Sequence, residues 1–357
     1  MSDSFADHIP GGSLVDWEFA RATAARLAGP GPRVTASEAA AIVADLRRAA
    51  AQAHDPVAQT SRLDSPAGSA PVLVVDRAGW ANANIGSMRE LLDPVIAKIT
   101  AGMPSQPSAG MATMGGKITG AETGALIAFM ASKILGQFDL APAGRPRLLL
   151  VAPNIVQVER ELAVSPRDFR LWVAMHEETH RVQFTAVPWL REHMIERSRA
   201  LAVDLAPTPG ELADRIQQIV QRLPEAFQPG STGLAEVFLT PEQKAEIGEI
   251  TAVMSLLEGH ADVVMDDVGP SVIPTVAEIR EKFTHRRAGL GQLDRLIRRL
   301  LGLEAKMRQY ADGAVFVRAV TDRVGVDGFN AVWSSPQTLP TAAEMADPQA
   351  WVARVHG

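Results

Sequence analysis

The chain contains no cysteine, and this absence excludes more chemistry than any other feature of its composition. Without thiols the protein cannot form a disulfide, use a thiol as a nucleophile or bind zinc through thiolates. Any metal site must therefore use histidine and carboxylate side chains. The sequence has eight histidines and 41 Asp and Glu residues, so ligands of both kinds are available.

Three other absences narrow the class of protein. A formal net charge of −6 gives no general attraction to nucleic acid. The opening "MSDSFADHIPGGSLVDW" lacks the basic stretch and apolar run that are typical of a secretory signal. The most apolar stretch, "GALIAFMASKILG", is interrupted by Ser132 and Lys133 and is too short to span a bilayer. We therefore expect a cytoplasmic protein without a nucleic-acid or membrane partner, and the sequence does not indicate its oligomeric state.

The sequence predicts a mainly α-helical α+β fold with a small sheet. Runs of helix formers such as "TASEAAAIVADLRRAAAQAHD" dominate, and only "PVLVVDRAGW" and "RPRLLLVAPNI" read as buried strands. The stretch "GMPSQPSAGMATMGG" is rich in Pro, Gly and Ser and predicts a loop or sub-domain boundary. We expect an N-terminal helical part with a short strand over residues 1–110 and a second part over residues 111–357, packed as one compact unit.

One predicted helix carries the motif HExxH within "WVAMHEETHRVQF". Ser165 is a candidate N-cap, Pro166 suits the first helical position, and Pro188 should end the helix. At about 100° per residue, His176 and His180 lie one turn apart and within about 40° of each other. Both face the apolar side of the helix, which is where a buried site would lie.

This spacing is the one that hydrolytic zinc chemistry requires. His176 and His180 can hold the ion, and a bound zinc ion lowers the pKa of water at its open position to about 7. Glu177 points to one side of the two imidazoles, where it can act as a general base without being a ligand. A motif of this kind arises by chance in roughly one such chain in a hundred, so it is a fairly specific signal.

The third ligand must come from elsewhere in the chain. The extended pattern HExxHxxGxxH does not apply, because Gln183 and Ala186 stand where it has Gly and His. A second long helix should begin in "LTPEQKAEIGEI", where Thr240 and Gln243 make a capping box.

Two acids follow on the apolar face of this second helix. Glu258 and Asp262 lie four residues apart, and acids on a buried stripe are costly unless something neutralises them. We predict that Glu258 is a metal ligand and that Asp262 orients a ligating imidazole. His260 and His193 are the competing ligands, and an ion pair with an arginine is the alternative for Asp262.

An acyl hydrolase also needs a donor for the developing oxyanion. Tyr310 is the only tyrosine of the protein, and together with His285 it is a candidate for this role. A tyrosine that packs with its hydroxyl at the surface is the alternative interpretation of Tyr310.

These residues resemble the zincin superfamily, in particular its Glu-zincin type, whose pattern is HExxH followed by a distant ExxxD helix. More of the chain is similar to a largely actinobacterial family of zinc-dependent metalloproteases that is associated with biosynthesis of a deazaflavin coenzyme. The similarity lies in "VVDRAGWANAN", "ILGQFDL", "HEETHRVQF", "LLEGHAD" and "GFNAVWSSPQTLPTAAEMADPQAWVARV". It implies a zincin-like metallohydrolase fold with one zinc ion and a metal-binding catalytic part over residues 111–357. It also implies that the strand in "RPRLLLVAPNI" borders the cleft and pairs with extended peptide.

The leading hypothesis is therefore a zinc metallopeptidase that acts on a peptide or small amide. Cobalt or manganese could bind to the same ligands. One alternative is a metal-stabilised binding or scaffold protein without hydrolytic activity, which a closed shell including His260 would indicate. The other is an amide or ester hydrolase of a small metabolite.

Overall fold

The computed structural model describes residues 14–66, 68–101, 108–205, 239–288 and 303–357, with the side chains of the last range from residue 313 onward. These residues form a mainly α-helical structure with one small sheet, which confirms the predicted fold class. The N-terminal half comprises α1 (Trp17–Leu27), α2 (Ala36–Ser61), β1 (Val72–Val75), α3 (Arg77–Ala101), α4 (Ala109–Ala131), β2 (Gly136–Asp139), β3 (Arg147–Val151) and α5 (Ala152–Leu162).

The remaining elements are helices. They are α6 (Pro166–Ala186), α7 (Pro188–Leu205), α8 (Pro241–Val272), α9 (Val276–Ala288), α10 (Leu303–Phe329), two short 3₁₀ turns (Asn330–Trp333 and Pro336–Thr338), α11 (Ala342–Ala346) and α12 (Pro348–His356). Within the described part of the chain, no helix is long and apolar enough to cross a membrane.

The sheet has the strand order β1-β3-β2 in the described part of the chain. β1 pairs with β3 in parallel, with Val72 opposite Leu148, and β2 pairs with β3 antiparallel, with Gly136 opposite Leu150. Both edges of β3 are thus occupied by neighbouring strands. The expectation that "RPRLLLVAPNI" pairs with peptide is therefore wrong, because a central strand has no unpaired backbone groups to offer. The edge strand on that side is β2.

Helices cover both faces of the sheet. Phe138 of β2 stacks on Phe184 of α6, with ring centroids 5.4 Å apart, so this face of the strand packs on the HExxH helix. The alternate residue Asp139 points to the other face, where it accepts a hydrogen bond from Ser87 of α3 at 2.8 Å. The alternation of side chains along β2 thus places the sheet between α3 and α6.

Residues 102–107 of the predicted loop "GMPSQPSAGMATMGG" lie outside the described residues, and the rest of it is helical from Ala109 onward, as the start of α4. Tertiary packing explains the difference, because α4 crosses α1 at very close range. A Cβ on Gly120 would lie 2.5 Å from the carbonyl oxygen of Asp16, and one on Gly124 would lie 2.5 Å from that of Ala20. Gly120 and Gly124 follow the predicted loop and let α4 dock on α1, whereas an added Cβ on Gly110 or Gly115, inside that stretch, would meet nothing within 4 Å.

An equally close crossing positions the second predicted helix, α8. A Cβ on Gly259 would lie 2.1 Å from the carbonyl carbon of Gly313 in α10, and one on Gly313 would lie 2.0 Å from the carbonyl oxygen of Ser255. Only glycine fits at either position without a shift of one backbone. This crossing fixes α8 at the residue that follows Glu258.

Candidate metal centre

Helix α6 begins and ends as its sequence predicts. The Ser165 side chain accepts a hydrogen bond from the backbone N–H of Asp168, and the helix runs from Pro166 to Ala186. His176 and His180 lie one turn apart on it, with ring centroids 4.9 Å apart and ring planes at 90°. Their rings therefore project side by side from one face of the helix.

A buried ion pair holds the opposite side of α6. Glu178 is fully buried and accepts hydrogen bonds from Arg181 Nε at 2.7 Å and Nη2 at 2.6 Å. Its Oε1 also lies 2.8 Å from His54 Nδ1 of α2, and Arg181 Nη1 donates to the carbonyl oxygen of Ala70. A buried charge pair is costly to break. We infer that this cluster fixes the rotation of α6 and so keeps His176 and His180 directed toward α8.

Glu258 of α8 lies opposite the two histidines. Its Oε2 is 3.5 Å from His176 Nε2, and its Oε1 is 3.7 Å from His180 Nε2. One ligand atom from each of the three residues lies within 4.8 Å of the others, so the three can hold a metal ion. His180 and Glu258 are 78 positions apart in sequence, yet their side chains converge on one point. Both histidines direct Nε2 rather than Nδ1 toward it.

The charges of these groups depend strongly on one another. Burial alone would lower the pKa of His176, but the hydrogen bond and charge of Glu258, with the charges of Glu177 and Asp262, raise it to about 9. Burial lowers the pKa of His180, and the charge of His176 acts in the same direction. The metal-free cluster therefore carries a proton on His176, which a metal ion has to displace.

Glu177 lies beside the cluster in a protected position. Burial, aided by the charge of Glu258 and opposed by that of His176, raises its pKa to about 7. A Cβ on Gly136 of β2 would lie 2.5 Å from Cγ and 2.6 Å from Cδ of Glu177, so the side chain lies directly against the strand backbone. A carboxylate with this pKa can accept a proton near neutral pH.

A residue that the sequence analysis missed contacts His180. His180 Nδ1 lies 3.0 Å from Oε1 of Gln183, which is fully buried one turn further along α6. The available signal was its spacing of three residues from a candidate ligand on the same helix. Gly136 was missed too, because β2 is too short to be read as a strand.

The predicted partner of the imidazoles, Asp262, has an exposed position. In the described part of the chain its carboxylate makes no hydrogen bond to His176 or His180, although its charge raises the pKa of both. The competing ligand His260 is 3% exposed and lies outside the three-residue group. His193 of α7 instead lines a separate cavity of about 350 Å³ between α7, α8 and the C-terminal segment.

Neither candidate for the oxyanion donor, His285 or Tyr310, is seen at this site among the described side chains. His285 is exposed on α9, and no contact joins it to the cluster. Tyr310 falls within α10, but its side chain lies outside the described residues, so its role stays a prediction.

The donor set fits zinc. Two imidazole nitrogens and one carboxylate oxygen are the ligands of zinc sites that keep one position open for reaction. A hard cation such as calcium or magnesium would prefer oxygen ligands throughout. His260 is engaged elsewhere, so the described residues provide three ligands rather than four.

The chain resembles known proteins both in structure and in sequence pattern. The chain is similar, at 29% identity and a TM-score of 0.67, to a crystal structure of a presumed hydrolase with a novel fold from Chloroflexus aurantiacus. That similarity covers 96% of this chain and 99% of the other. No protein of curated function matches the sequence. The sequence pattern of the zincin-like metallopeptidases matches residues 15–352, and the chain therefore belongs to this family.

Proposed function

We propose that the protein is a zinc-dependent hydrolase and that it cleaves peptide bonds. The observation that carries this proposal is the convergence of His176, His180 and Glu258 beside a buried Glu177. Membership of the zincin-like metallopeptidase family and similarity to a presumed hydrolase both support it.

His176, His180 and Glu258 would hold the ion. Zinc, when bound there, supplies Lewis acidity, which polarises a carbonyl group and makes water acidic near neutral pH. Glu177 would accept the proton of the attacking water as the water oxygen bonds to the carbonyl carbon. When the C–N bond breaks, Glu177 would return that proton to the departing amine. The raised pKa of Glu177 suits it to both transfers.

The edge of β2 is the proposed binding surface for peptide. Val151 donates to the carbonyl oxygen of Leu135, so Leu135 is a hydrogen-bonded partner of β3. Paired residues alternate along an antiparallel ladder, and the backbone groups of Gly136 and Phe138 must therefore point away from β3. An extended peptide that pairs with these groups would pass directly beside Glu177.

Two predicted roles remain part of this proposal. Asp262 would act on the imidazoles through its charge, which already raises the pKa of His176. Tyr310 would stabilise the oxyanion, and Tyr310→Phe should then lower the turnover number without changing the metal content.

Metal analysis combined with a peptide-library cleavage assay tests the proposal. We expect one zinc ion per chain and cleavage that depends on it, with Glu177→Gln as the inactive control. Cleavage of small amides or esters but of no peptide would instead indicate a hydrolase of a small metabolite. One tightly held ion without hydrolysis of either kind would indicate a metal-stabilised binding protein.

The predicted association with deazaflavin coenzyme biosynthesis and the predicted cytoplasmic location need cellular tests. The first predicts that cells without this protein contain less of that coenzyme. The second predicts that the protein fractionates with cytoplasmic markers.

A further inference from the structure

The amide group of Gln183 has only one possible orientation. Its Nε2 lies 2.9 Å from the carbonyl oxygen of Leu257, and that oxygen can only accept a hydrogen bond. The NH₂ group must therefore face Leu257, because the opposite orientation would place two acceptor oxygens against each other. The amide oxygen Oε1 is then the atom that faces His180 at 3.0 Å.

This orientation determines the tautomer of His180. Because the amide oxygen of Gln183 can only accept, the neutral imidazole of His180 must carry its proton on Nδ1. The lone pair is then on Nε2, the atom that lies 3.7 Å from Glu258. Gln183 thus prepares His180 for a metal ion before any ion binds.

The second proton of the NH₂ group is also used. Nε2 of Gln183 lies 2.9 Å from Nδ1 of His260, which must accept and therefore carries its own proton on Nε2. The His260 ring packs against Phe329 and Trp333, with centroids 5.4 Å and 5.5 Å away. Segments from near the C-terminus therefore hold His260 in the position that Gln183 needs.

We propose that Gln183 is the positioning residue of the metal site, with His260 as its support. One side chain sets the tautomer of His180 and joins α6 to α8 at Leu257, next to Glu258. The oxygen and both N–H groups of this buried amide have hydrogen-bond partners. Leaving one of these groups without a partner would cost free energy. This inference rests on the proposed function, because it assigns His180 the role of a ligand.

The first test uses the metal-free protein, so it does not depend on hydrolysis. Nitrogen-15 NMR of the imidazoles reports which ring nitrogen carries the proton. We expect His180 as the Nδ1–H tautomer and His260 as the Nε2–H tautomer, with signals assigned from His180→Gln and His260→Gln. An Nε2–H tautomer of His180 in the wild-type protein would overturn the proposal.

The second test compares substitutions of Gln183. Gln183→Leu removes every hydrogen bond, and we expect its zinc affinity to fall about 10- to 100-fold. Gln183→Glu keeps an acceptor for His180 but loses the donor for both His260 and the carbonyl oxygen of Leu257. It should retain the tautomer of His180, move the proton of His260 to Nδ1, and bind zinc more tightly than Gln183→Leu.

Thr185→Val is the matched control. Thr185, on the same helix, donates to the carbonyl oxygen of Arg181 at 2.7 Å and pairs with Ser65 at 2.6 Å, away from the histidines. The control loses comparable hydrogen bonds and should bind zinc as the wild type does. Equal zinc affinity in Gln183→Leu and Thr185→Val would overturn the positioning role, as would an unchanged His260 tautomer in Gln183→Glu. Activity without zinc, or activity retained in Glu177→Gln, would instead overturn the proposed function and leave the tautomers as measured.

Discussion

Gly136 and Glu177 are in direct contact, so the side chain of the proposed general base lies against the backbone of an edge strand. A methyl group at position 136 would occupy the same space as that side chain. A Cβ at position 136 would meet Cγ, Cδ and Oε1 of Glu177 at 2.5–2.8 Å. Gly136→Ala should therefore displace the carboxylate and lower kcat by about 10²-fold, since a displacement of about 1 Å has effects of this size. Zinc content and thermal stability should change little.

Gly144→Ala is the control for this substitution. Gly144 lies in the β2–β3 connection, and its added Cβ would make only an ordinary contact of 3.6 Å with Ala141. Steady-state kinetics on both variants should show a loss in Gly136→Ala alone. Equal activities would mean that the position of Glu177 does not depend on the strand.

The second prediction concerns Glu177 itself. Glu177→Gln keeps the shape and removes the base, so turnover should fall by about 10²–10⁴-fold while one zinc ion remains bound. Glu178→Gln weakens the buried pair with Arg181 on the opposite side of α6 and leaves Glu177 in place, so it should lower the free energy of unfolding and reduce turnover far less than Glu177→Gln does. Kinetics, metal analysis and thermal unfolding of the two variants separate these effects. Comparable turnover in Glu177→Gln and wild type would exclude the proposed mechanism.

The third prediction concerns the metal ligands. Glu258→Gln removes the negative charge that faces both imidazoles, so zinc should bind much more weakly, and activity should be lost with it. Glu249→Gln, on the same helix and away from the cluster, should leave zinc binding unchanged. Competition with a chromophoric chelator measures both affinities. Stoichiometric zinc in Glu258→Gln with wild-type affinity would show that another residue is the third ligand.

The fourth prediction is a dependence of zinc affinity on pH. His176 must lose its proton to bind the ion, and its pKa in the metal-free protein is raised to about 9. Apparent zinc affinity should therefore rise with pH through the neutral range and level off near pH 9. In Glu258→Gln the main cause of the raised pKa is gone, so the plateau should begin at lower pH. A plateau that begins below pH 7 in the wild-type protein would contradict the assigned charge of His176.

The same raised pKa affects the stability of the metal-free protein. The protonated His176 stabilises the folded state fully below its ordinary pKa of 6.5, and this contribution is lost as the pH rises through about 9. Urea unfolding at several pH values, with His176→Gln as the reference, should show a difference in slope over this range. Parallel profiles for the two proteins would contradict the prediction.

The fifth prediction concerns the crossing of α8 and α10. Gly313→Ala and Gly259→Ala each place a Cβ about 2 Å from backbone atoms of the other helix, so each should destabilise the fold by about 1–3 kcal/mol or more. Gly248→Ala, also in α8, meets only the Ala342 side chain at 3.9 Å and should stabilise by about 0.5–1 kcal/mol. Chemical denaturation distinguishes the two groups. Equal stabilities would mean that the helices are not in close contact.

Local signals were sufficient for the elements that carry the site. The Ser165–Pro166 start of α6 and the Thr240–Gln243 capping box of α8 were predicted from residue types alone, and both are confirmed. Helical spacing also predicted which face His176 and His180 share. These features depend on residues that are close together in sequence, so local sequence patterns are enough to predict them.

The missed features depend on contacts between distant segments. α4 is helical through a glycine-rich stretch because α1 packs against it, and no local pattern indicates this. The place of β3 at the centre of the sheet depends on β2, four residues whose pairing is not visible in their sequence. Gln183 looked like a departure from an extended zinc motif, whereas its partners Leu257 and His260 lie more than 70 residues away.

A crystal structure of the zinc-loaded protein, with anomalous diffraction measured at the zinc edge, tests the central claim most directly. The account predicts one anomalous peak at about 2.0–2.2 Å from Nε2 of His176, Nε2 of His180 and one carboxylate oxygen of Glu258. A peak that Glu258 does not contact, or one bound by His260 in its place, would contradict it.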